Sequence, residues 1–182
     1  FCKTKLNVKI PPSNAKDGWS SELHLGIKPW FQMVSNSLIN GVVLVIDYAL
    51  EAKRYYSAFR NDGTMISYKD QKAISNFLLN PSNSDLTSHL CLEMVELDAK
   101  SAGLKIIGNA RQGQALLALG LAQKLHAIQS RYINDLAKAL QSRESLLRLV
   151  DPSGLGEFRW MAFQVEKQSE KLILETKFLQ SP

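Results

Sequence analysis

The apolar positions of the chain fall into runs that predict strands alternating with helices. Residues 41–47 read Gly-Val-Val-Leu-Val-Ile-Asp, an almost uninterrupted aliphatic run. Because a strand buried on both faces must be apolar at every position, this run predicts an inner strand of a parallel sheet. Ligands of open α/β sheets bind at the carboxyl ends of the strands, so Asp47 and Tyr48 are placed where chemistry is expected. An acidic residue at a strand end also commonly caps the next turn or helix, and that alternative stays open.

A segment with helical spacing precedes this strand, and the segment after it shows few signals of regular secondary structure. From residue 27 onward apolar residues recur three and four positions apart, which predicts a helix that begins near Lys28 and stops at Asn40 and Gly41. Residues 51–83 carry turn signals but little periodicity, so a long loop is predicted there. Because this loop follows the strand end directly, we expect the substrate to lie beside it.

The second half of the chain predicts more helices and two more strands. Residues 112–149 are rich in leucine and alanine at helical spacing, which predicts two or three helices packed as a cap on the sheet. The tail 166–182 is charged and weakly patterned, and strand, helix and disorder all stay open for it. The other predicted elements are a helix over about 92–102, a strand over 104–107 and a strand over 158–165.

Composition describes an ordinary globular domain. A length of 182 residues suffices for one substantial core, and 45% hydrophobic and 21% charged residues are typical values. The net charge of +5 raises the question of a nucleic-acid partner. However, the basic residues are scattered among acidic ones, which favours a solvated surface and no nucleic-acid partner.

Cysteines and apolar runs indicate the compartment. Cys2 and Cys91 are far apart and fit no metal-binding spacing, which indicates a reducing compartment without a disulfide framework. No apolar run approaches the roughly 20 residues that span a bilayer, so no membrane partner is predicted. We expect a cytoplasmic protein, or a mitochondrial or plastid one in a eukaryote.

Five segments of the chain occur in a recognisable order. Together they resemble the MidA-like family of S-adenosylmethionine-dependent methyltransferases, which includes a protein arginine methyltransferase of mitochondrial complex I assembly. The resemblance runs from about Gly18 to Phe163. The segments that carry it are VLVIDYAL, YYSAFRNDGT, LNPSNSDLTSHL, AGLKIIGNARQGQALLALGL and GLGEFRWMAF.

The resemblance implies an α/β fold, namely the C-terminal part of a Rossmann-like class I methyltransferase sheet. Residues 1–165 would form the C-terminal half of the methyltransferase domain, and residues 166–182 a tail. The helical insert, at about 112–149, would lie between the last two strands. Residues 41–47, 104–107 and 158–165 would be the fifth, sixth and seventh strands, the last of them antiparallel.

S-adenosylmethionine is the cofactor that the resemblance implies. Rossmann-like folds hold such a molecule with a glycine-rich turn after the first strand, and the chain has no such turn. Gly154 and Gly156 form a lone G-x-G in a predicted loop, which is typical of a turn. The glycine-rich motif is therefore expected upstream, and no cofactor-binding residue is assigned here. Because the chain starts at Phe1 without a methionine, we interpret it as a fragment that is inactive alone and has the upstream half as its partner.

Asp47 and Tyr48 are the predicted catalytic residues, since they match the family's Asp-Tyr-Gly with Ala49 in place of glycine. For an arginine or another amine acceptor, a carboxylate can orient the nitrogen through a charge-assisted hydrogen bond. It can also take up the proton that the nitrogen releases.

Two further segments match the family and supply predicted substrate-binding residues. Alternating spacing predicts that Asp85, Thr87 and His89 share one side of an extended segment. An ordinary turn and helix-entry capping are the alternatives for these two segments. The predicted substrate-binding residues are Asp62, Gly63, Thr64, Asp85, Thr87 and His89.

Three other polar residues have modest interpretations. Glu22 is expected to cap the first turn of the helix that follows it. His24 and His126 are interpreted as isolated, so no metal ligand set is predicted.

The sequence thus predicts a methyltransferase that acts on a protein side chain such as arginine. One alternative is an unrelated Rossmann-like enzyme with another cofactor, and the leading alternative is a non-catalytic protein-interaction module that keeps the fold. Ala49 and the segment 67–72, which replaces a His- and Arg-rich run of the family, favour that alternative modestly.

Overall fold

The computed structural model describes residues 6, 8–74, 76–79, 81–166 and 177–179. These residues form a mixed α/β protein with three small sheets. In chain order the elements are α1 (Ile27–Ser37), β1 (Asn40–Asp47), β2 (Ala49–Leu50), α2 (Ala52–Tyr55), β3 (Ile66–Lys69), β4 (Lys72–Ile74), β5 (Asp85–Thr87), β6 (Leu90–Cys91), α3 (Leu92–Ser101), β7 (Lys105–Arg111), α4 (Gln112–Ala118), α5 (Leu121–Arg131), α6 (Leu136–Arg148) and β8 (Arg159–Glu166).

The chain divides into two compact units, each built from two stretches of sequence. The first unit comprises Phe1–Asn36 and Tyr48–Gly103, and the second comprises Ser37–Asp47 and Leu104–Pro182. The boundary falls between Asp47 and Tyr48, so the two predicted catalytic residues are consecutive but belong to different units.

The sheet of the second unit has the strand order β1-β8-β7, and both pairings are antiparallel. Its central strand is β8, where Met161, Ala162, Phe163 and Val165 are all at most 1% exposed. Alternation along a strand sends neighbouring residues to opposite faces, so β8 is covered on both faces.

The prediction that 41–47 is an inner strand of a parallel sheet, buried on both faces, is wrong for the described residues. The strand exists as β1, but it pairs there only with β8, in antiparallel register. On one face Val42, Leu44 and Ile46 are 38–44% exposed. An all-apolar run shows that both faces avoid water, but it does not reveal which part of a protein covers each face.

Helices α4, α5 and α6 follow β7 and precede β8, and they account for the helical prediction over 112–149. The predicted strands are also present, although β7 extends four residues beyond the predicted end at 107. Beyond Glu166, the predicted tail lies outside the described residues except for a short 3-10 helix, Lys177–Leu179. Within the described part of the chain, we find no helix that is both long enough and apolar enough to cross a membrane.

A tight turn after α6 depends on Gly156. A Cβ built on Gly156 would lie 2.5–2.6 Å from the backbone oxygens of Val150 and Asp151. Backbone atoms cannot move aside as the end of a flexible side chain can, so only glycine fits this position. Gly154 and Gly156 thus belong to a tight turn, which agrees with the interpretation of this G-x-G from the sequence.

Replacing Gly156 by alanine is therefore expected to destabilise the second unit by about 1–3 kcal/mol, the usual cost of overpacking. Gly41→Ala is the matched control, because its Cβ would meet only Leu38 side-chain carbons at 3.9 Å. Urea unfolding of both variants checks the prediction. Equal midpoints for the two variants would contradict it.

The core of the first unit gathers around α2 and the start of α3. Tyr55 and Cys91 are fully buried there, and Ala52 and Tyr56 are nearly so. Helix α3 adds Leu92, Val95 and Ala99, and it ends at Ser101, with Ala102 as its C-cap before Gly103, whose φ is 85°. The helix predicted over 92–102 is confirmed.

The long loop predicted over 51–83 is wrong, because this stretch contains α2 and a β-hairpin. Strands β3 and β4 pair antiparallel, and β5 pairs with the other edge of β3. Asp70 and Gln71 connect the hairpin with φ values of 49° and 61°, as a two-residue turn of this kind requires. The sequence has neither a glycine in this turn nor a clear alternation in its strands, so it carried no usable hairpin signal.

Candidate functional site

Two short parallel strands bring Tyr48 and His89 side by side. Ala49 pairs with Leu90 in register, and the Leu90 N–H donates to the Tyr48 carbonyl at 2.7 Å. Tyr48 and His89 each precede one of these strands, and their ring centroids lie 5.5 Å apart. Tyr48 remains 42% exposed, so its ring is accessible at the end of β1.

Glu22 holds the loop that contains Gly63 and Thr64. One of its carboxylate oxygens accepts hydrogen bonds from the backbone N–H groups of Thr64 and Met65, each at 2.6 Å. Gly63 has a φ of 72°, and a Cβ at this position would overlap the Glu22 carboxylate. The glycine therefore allows the loop to wrap closely around the acid.

Tyr55 joins Glu22 to two histidines. Its hydroxyl donates to the other Glu22 carboxylate oxygen at 3.1 Å. His24 Nε2 lies 2.9 Å from that hydroxyl and 2.8 Å from the His89 carbonyl oxygen. A carbonyl oxygen only accepts, so in this contact Nε2 carries a proton and donates to the His89 carbonyl.

Thr64 closes the network, because its hydroxyl oxygen accepts from the His89 backbone N–H at 3.0 Å. We call Glu22, His24, Tyr55, Thr64 and His89 the Glu22 cluster. Its hydrogen bonds join these five residues into one group. Because both the N–H and the carbonyl of His89 are bound, the cluster holds the His89 backbone in place and with it the ring that contacts Tyr48.

The cluster sets the protonation of its two acidic groups. Burial raises the pKa of Glu22, but hydrogen bonds from Thr64, Met65 and Tyr55 outweigh it and bring the pKa below its usual value. Burial and the Glu22 charge raise the pKa of Tyr55 above its usual value. At neutral pH Glu22 is therefore a carboxylate, and Tyr55 keeps the proton that it donates.

Asp47 ends β1 at the rim of the sheet of the second unit. Its register partner is Arg159, which is 9% exposed, and the partner of Arg159 on the other side is Arg111. Arg111 in turn forms an ion pair with Glu157 at 3.2 Å. The rim of this sheet thus carries Asp47 beside two arginines of the chain.

The structure brings some of the predicted site residues together and leaves others apart. Thr64 and His89 belong to the Glu22 cluster, and Gly63 adjoins it. Asp62 and Asp85 are exposed and lie outside the cluster. Thr87 is partly buried in β5, which ends there, so Asp85 and Thr87 share a strand that does not extend to His89.

Sequence reasoning missed three members of the cluster. Glu22 is not a helix cap, because α1 starts only at Ile27 and the carboxylate instead binds the loop at 64–65. His24 is not isolated, because it bonds to Tyr55 and His89. These contacts join positions 31 to 65 residues apart, and no local pattern in the sequence reports them.

Two glycines where a cofactor could have approached the backbone closely are hindered by the chain itself. The G-x-G at 154–156 is filled by the chain's own Val150 and Asp151 carbonyls, so it offers no space for a ligand. Gly63 is likewise filled by the Glu22 carboxylate. At both positions atoms of the chain itself occupy the space next to the glycine.

Comparison with known families identifies what the chain is related to. Residues 3–110 match the model of a family described as "Putative S-adenosyl-L-methionine-dependent methyltransferase". The match covers more than half of the chain, including β1, Tyr48 and the whole Glu22 cluster. The chain belongs to this methyltransferase family. None of the curated proteins matches it.

Two crystal structures from Burkholderia thailandensis share the fold. One is of an "uncharacterized" protein, with a TM-score of 0.72 and 24% identity over 82% of this chain and 39% of that one. The other, of the same superfamily, is described as a "likely methyl transferase" bound to S-adenosyl-homocysteine, with a TM-score of 0.72 and 23% identity over 82% of this chain and 38% of that one. The chain thus spans about two-fifths of the length of either.

Proposed function

We propose that this chain is the C-terminal, acceptor-side portion of an S-adenosylmethionine-dependent methyltransferase of the MidA-like type, acting on a protein side chain such as arginine. The observation that carries the proposal is the position of Asp47 and Tyr48 directly at the end of β1, inside the segment that matches the family. Carboxyl ends of strands are where α/β folds place ligands.

The strand order supports the assignment to the C-terminal half. Strand β8 lies between β1 and β7 and runs antiparallel to both, as expected for the seventh strand beside the fifth and sixth. The upstream half of the same protein would cover the exposed Val42, Leu44 and Ile46 and the edge of β1 that pairs with no strand of the described residues. We assign the glycine-rich cofactor turn to that upstream half.

The chemistry that we assign to this chain is positioning of the acceptor and removal of its proton. The Asp47 carboxylate would hold the acceptor nitrogen by a charge-assisted hydrogen bond and accept the proton that it loses. The ring of Tyr48, supported by His89, offers a face to a cationic group. The Thr64 hydroxyl holds the His89 backbone in place, while Asp62, Gly63, Asp85 and Thr87 remain predicted substrate contacts.

A groove in the first unit suits a protein acceptor. It encloses about 720 Å³ and is lined by Lys53, Tyr56, Phe59 and Glu93 among others. Phe59, one of the residues that line it, is 93% exposed and offers an aromatic face to such a segment. A groove of this size accommodates several side chains of an extended segment. A cytoplasmic location, or an organellar one in a eukaryote, is part of the proposal and agrees with the buried Cys91, which forms no disulfide within the described residues.

A non-catalytic interaction module is the second candidate. The segment 67–72, where the family resemblance has basic residues, forms the β3–β4 hairpin and favours this candidate. Ala49 favours it less, because Ala49 is an ordinary strand residue that pairs with Leu90.

Mass spectrometry of protein acceptors separates the two candidates. The whole protein is incubated with S-adenosylmethionine and a lysate from cells that lack it. We expect a mass gain of one or two methyl groups on arginine of a small set of proteins. Methylation confined to another side chain would refute the arginine acceptor alone, whereas no methylation by folded protein would favour the interaction module.

A further inference from the structure

Helix α6 has one side that packs against the protein and a larger surface that is exposed to solvent. It packs against α5, and its partly covered residues Ala139, Ser142 and Leu146 fall on one side. The other ten residues of this fully described helix are exposed. Among the described residues α5 is its main neighbour, and a helix normally exposes polar residues on its remaining surface, so the exposed leucines of α6 need an explanation.

The exposed leucines form a seam with coiled-coil spacing. Leu136, Leu140 and Leu147 are 73%, 58% and 42% exposed, and with Arg143 they follow one another at intervals of four, three and four residues. This is the spacing of the core positions of a two-stranded coiled coil. Ile133, in the turn before the helix, is 80% exposed and continues the seam at an interval of three.

The charges next to the seam indicate which molecule packs against it. In a parallel pair related by a two-fold axis, each seam residue packs against its own copy, and the residue after Arg143 lies beside the partner's Arg143. That residue is Glu144, so a second copy of the chain would form two reciprocal ion pairs at the middle of the seam. The aliphatic stem of Arg143 can pack between the leucines while its charged end reaches out to the carboxylate.

We propose that α6 is a homodimerisation surface, on which two copies of the chain pair in parallel through Leu136, Leu140 and Leu147. The Glu144 carboxylate is available for this contact, because its existing ion pair with Arg148 at 3.0 Å is an exposed one within the same helix. The proposal concerns the second unit alone and does not depend on the proposed function.

Charge reversal tests the pairing with a built-in rescue. We compare the whole protein with its R143E, E144R and R143E/E144R variants by sedimentation velocity over a concentration series. Each single reversal gives residues 143 and 144 the same charge, so both contacts between residue 143 of one copy and residue 144 of the other become repulsive. The dimer Kd should therefore rise on the order of tenfold or more. The double reversal restores opposite charges and should return the Kd to near the wild-type value.

Lys138→Glu is the matched control, because it makes the same change of charge on the side of α6 opposite to the seam. It should leave the Kd unchanged, and circular dichroism should show equal helix content for all variants. A wild-type protein that stays monomeric throughout would overturn the proposal and leave the seam to a different partner. A dimer that is indifferent to the single reversals, or is not rescued by the double reversal, would overturn it as well.

Discussion

Glu22→Ala is expected to lower the free energy of unfolding of the first unit by about 3 kcal/mol or more, since it leaves the Thr64 and Met65 N–H groups and the Tyr55 hydroxyl without their acceptor. The Thr64 N–H and the Tyr55 hydroxyl are partly buried and cost about 1–3 kcal/mol each when left unsatisfied, whereas the exposed Met65 N–H can bind water instead. The loop at 63–65 loses its anchor at the same time. Urea unfolding followed by tyrosine and tryptophan fluorescence measures the change.

Two variants make this prediction specific. Asp17→Ala removes an exposed acid of the same unit and should change stability by no more than about 0.5 kcal/mol. Glu22→Gln keeps one oxygen acceptor and should lose clearly less than Glu22→Ala. If Glu22→Ala and Asp17→Ala unfold at the same urea concentration, the Glu22 cluster does not stabilise the first unit.

The same carboxylate predicts how stability depends on pH. The pKa of Glu22 in the folded protein is below its usual value of 4.5. Its contribution is therefore fully present above pH 4.5 and is lost as the pH falls through the lower folded pKa. Glu22→Gln should consequently show a flatter loss of stability than the wild type in this acidic range.

Asp47→Asn is expected to lower kcat for methyl transfer by the whole protein by about 10²–10³-fold, the usual contribution of a positioned acid or base. An amide can still contact the acceptor nitrogen but cannot take up its proton. KM should change less than kcat, because the acceptor still binds. Initial rates with labelled S-adenosylmethionine give both constants.

Two substitutions of Tyr48 distinguish a role of its ring from a role of its hydroxyl. Tyr48→Phe keeps the ring against His89 and should retain most of the activity, whereas Tyr48→Ala removes the face and should raise KM for a cationic acceptor by about tenfold. Asp17→Asn serves as the control for a lost carboxylate. Full activity of Asp47→Asn would remove Asp47 from the proposed mechanism.

Local patterns in the sequence predicted the elements that carry strong signals. The helices around 92–102 and 112–149 have regular apolar spacing, and the strand at 41–47 has an unbroken aliphatic run. The hairpin β3–β4 has neither, because its strands are four and three residues long and its turn lacks glycine. Short polar strands gain their stability from neighbouring strands that the sequence does not identify.

The candidate site was predictable only in part for the same reason. Thr64 and His89 were found because the segments that contain them resemble a family. Glu22, His24 and Tyr55 meet only in the folded chain, where a carboxylate, an imidazole and a phenol satisfy one another across long sequence separations. The burial of β1 was overestimated because an aliphatic run reports avoidance of water and not the identity of the covering layer.

Calorimetric titration of the whole protein with S-adenosyl-homocysteine tests the central claim most directly. If this chain is the acceptor side of a methyltransferase, the whole protein should bind the ligand at one site per chain, and Asp47→Asn should bind it equally well because the cofactor side lies elsewhere. A titration without heat, repeated at a second temperature on protein that circular dichroism shows to be folded, would contradict the claim.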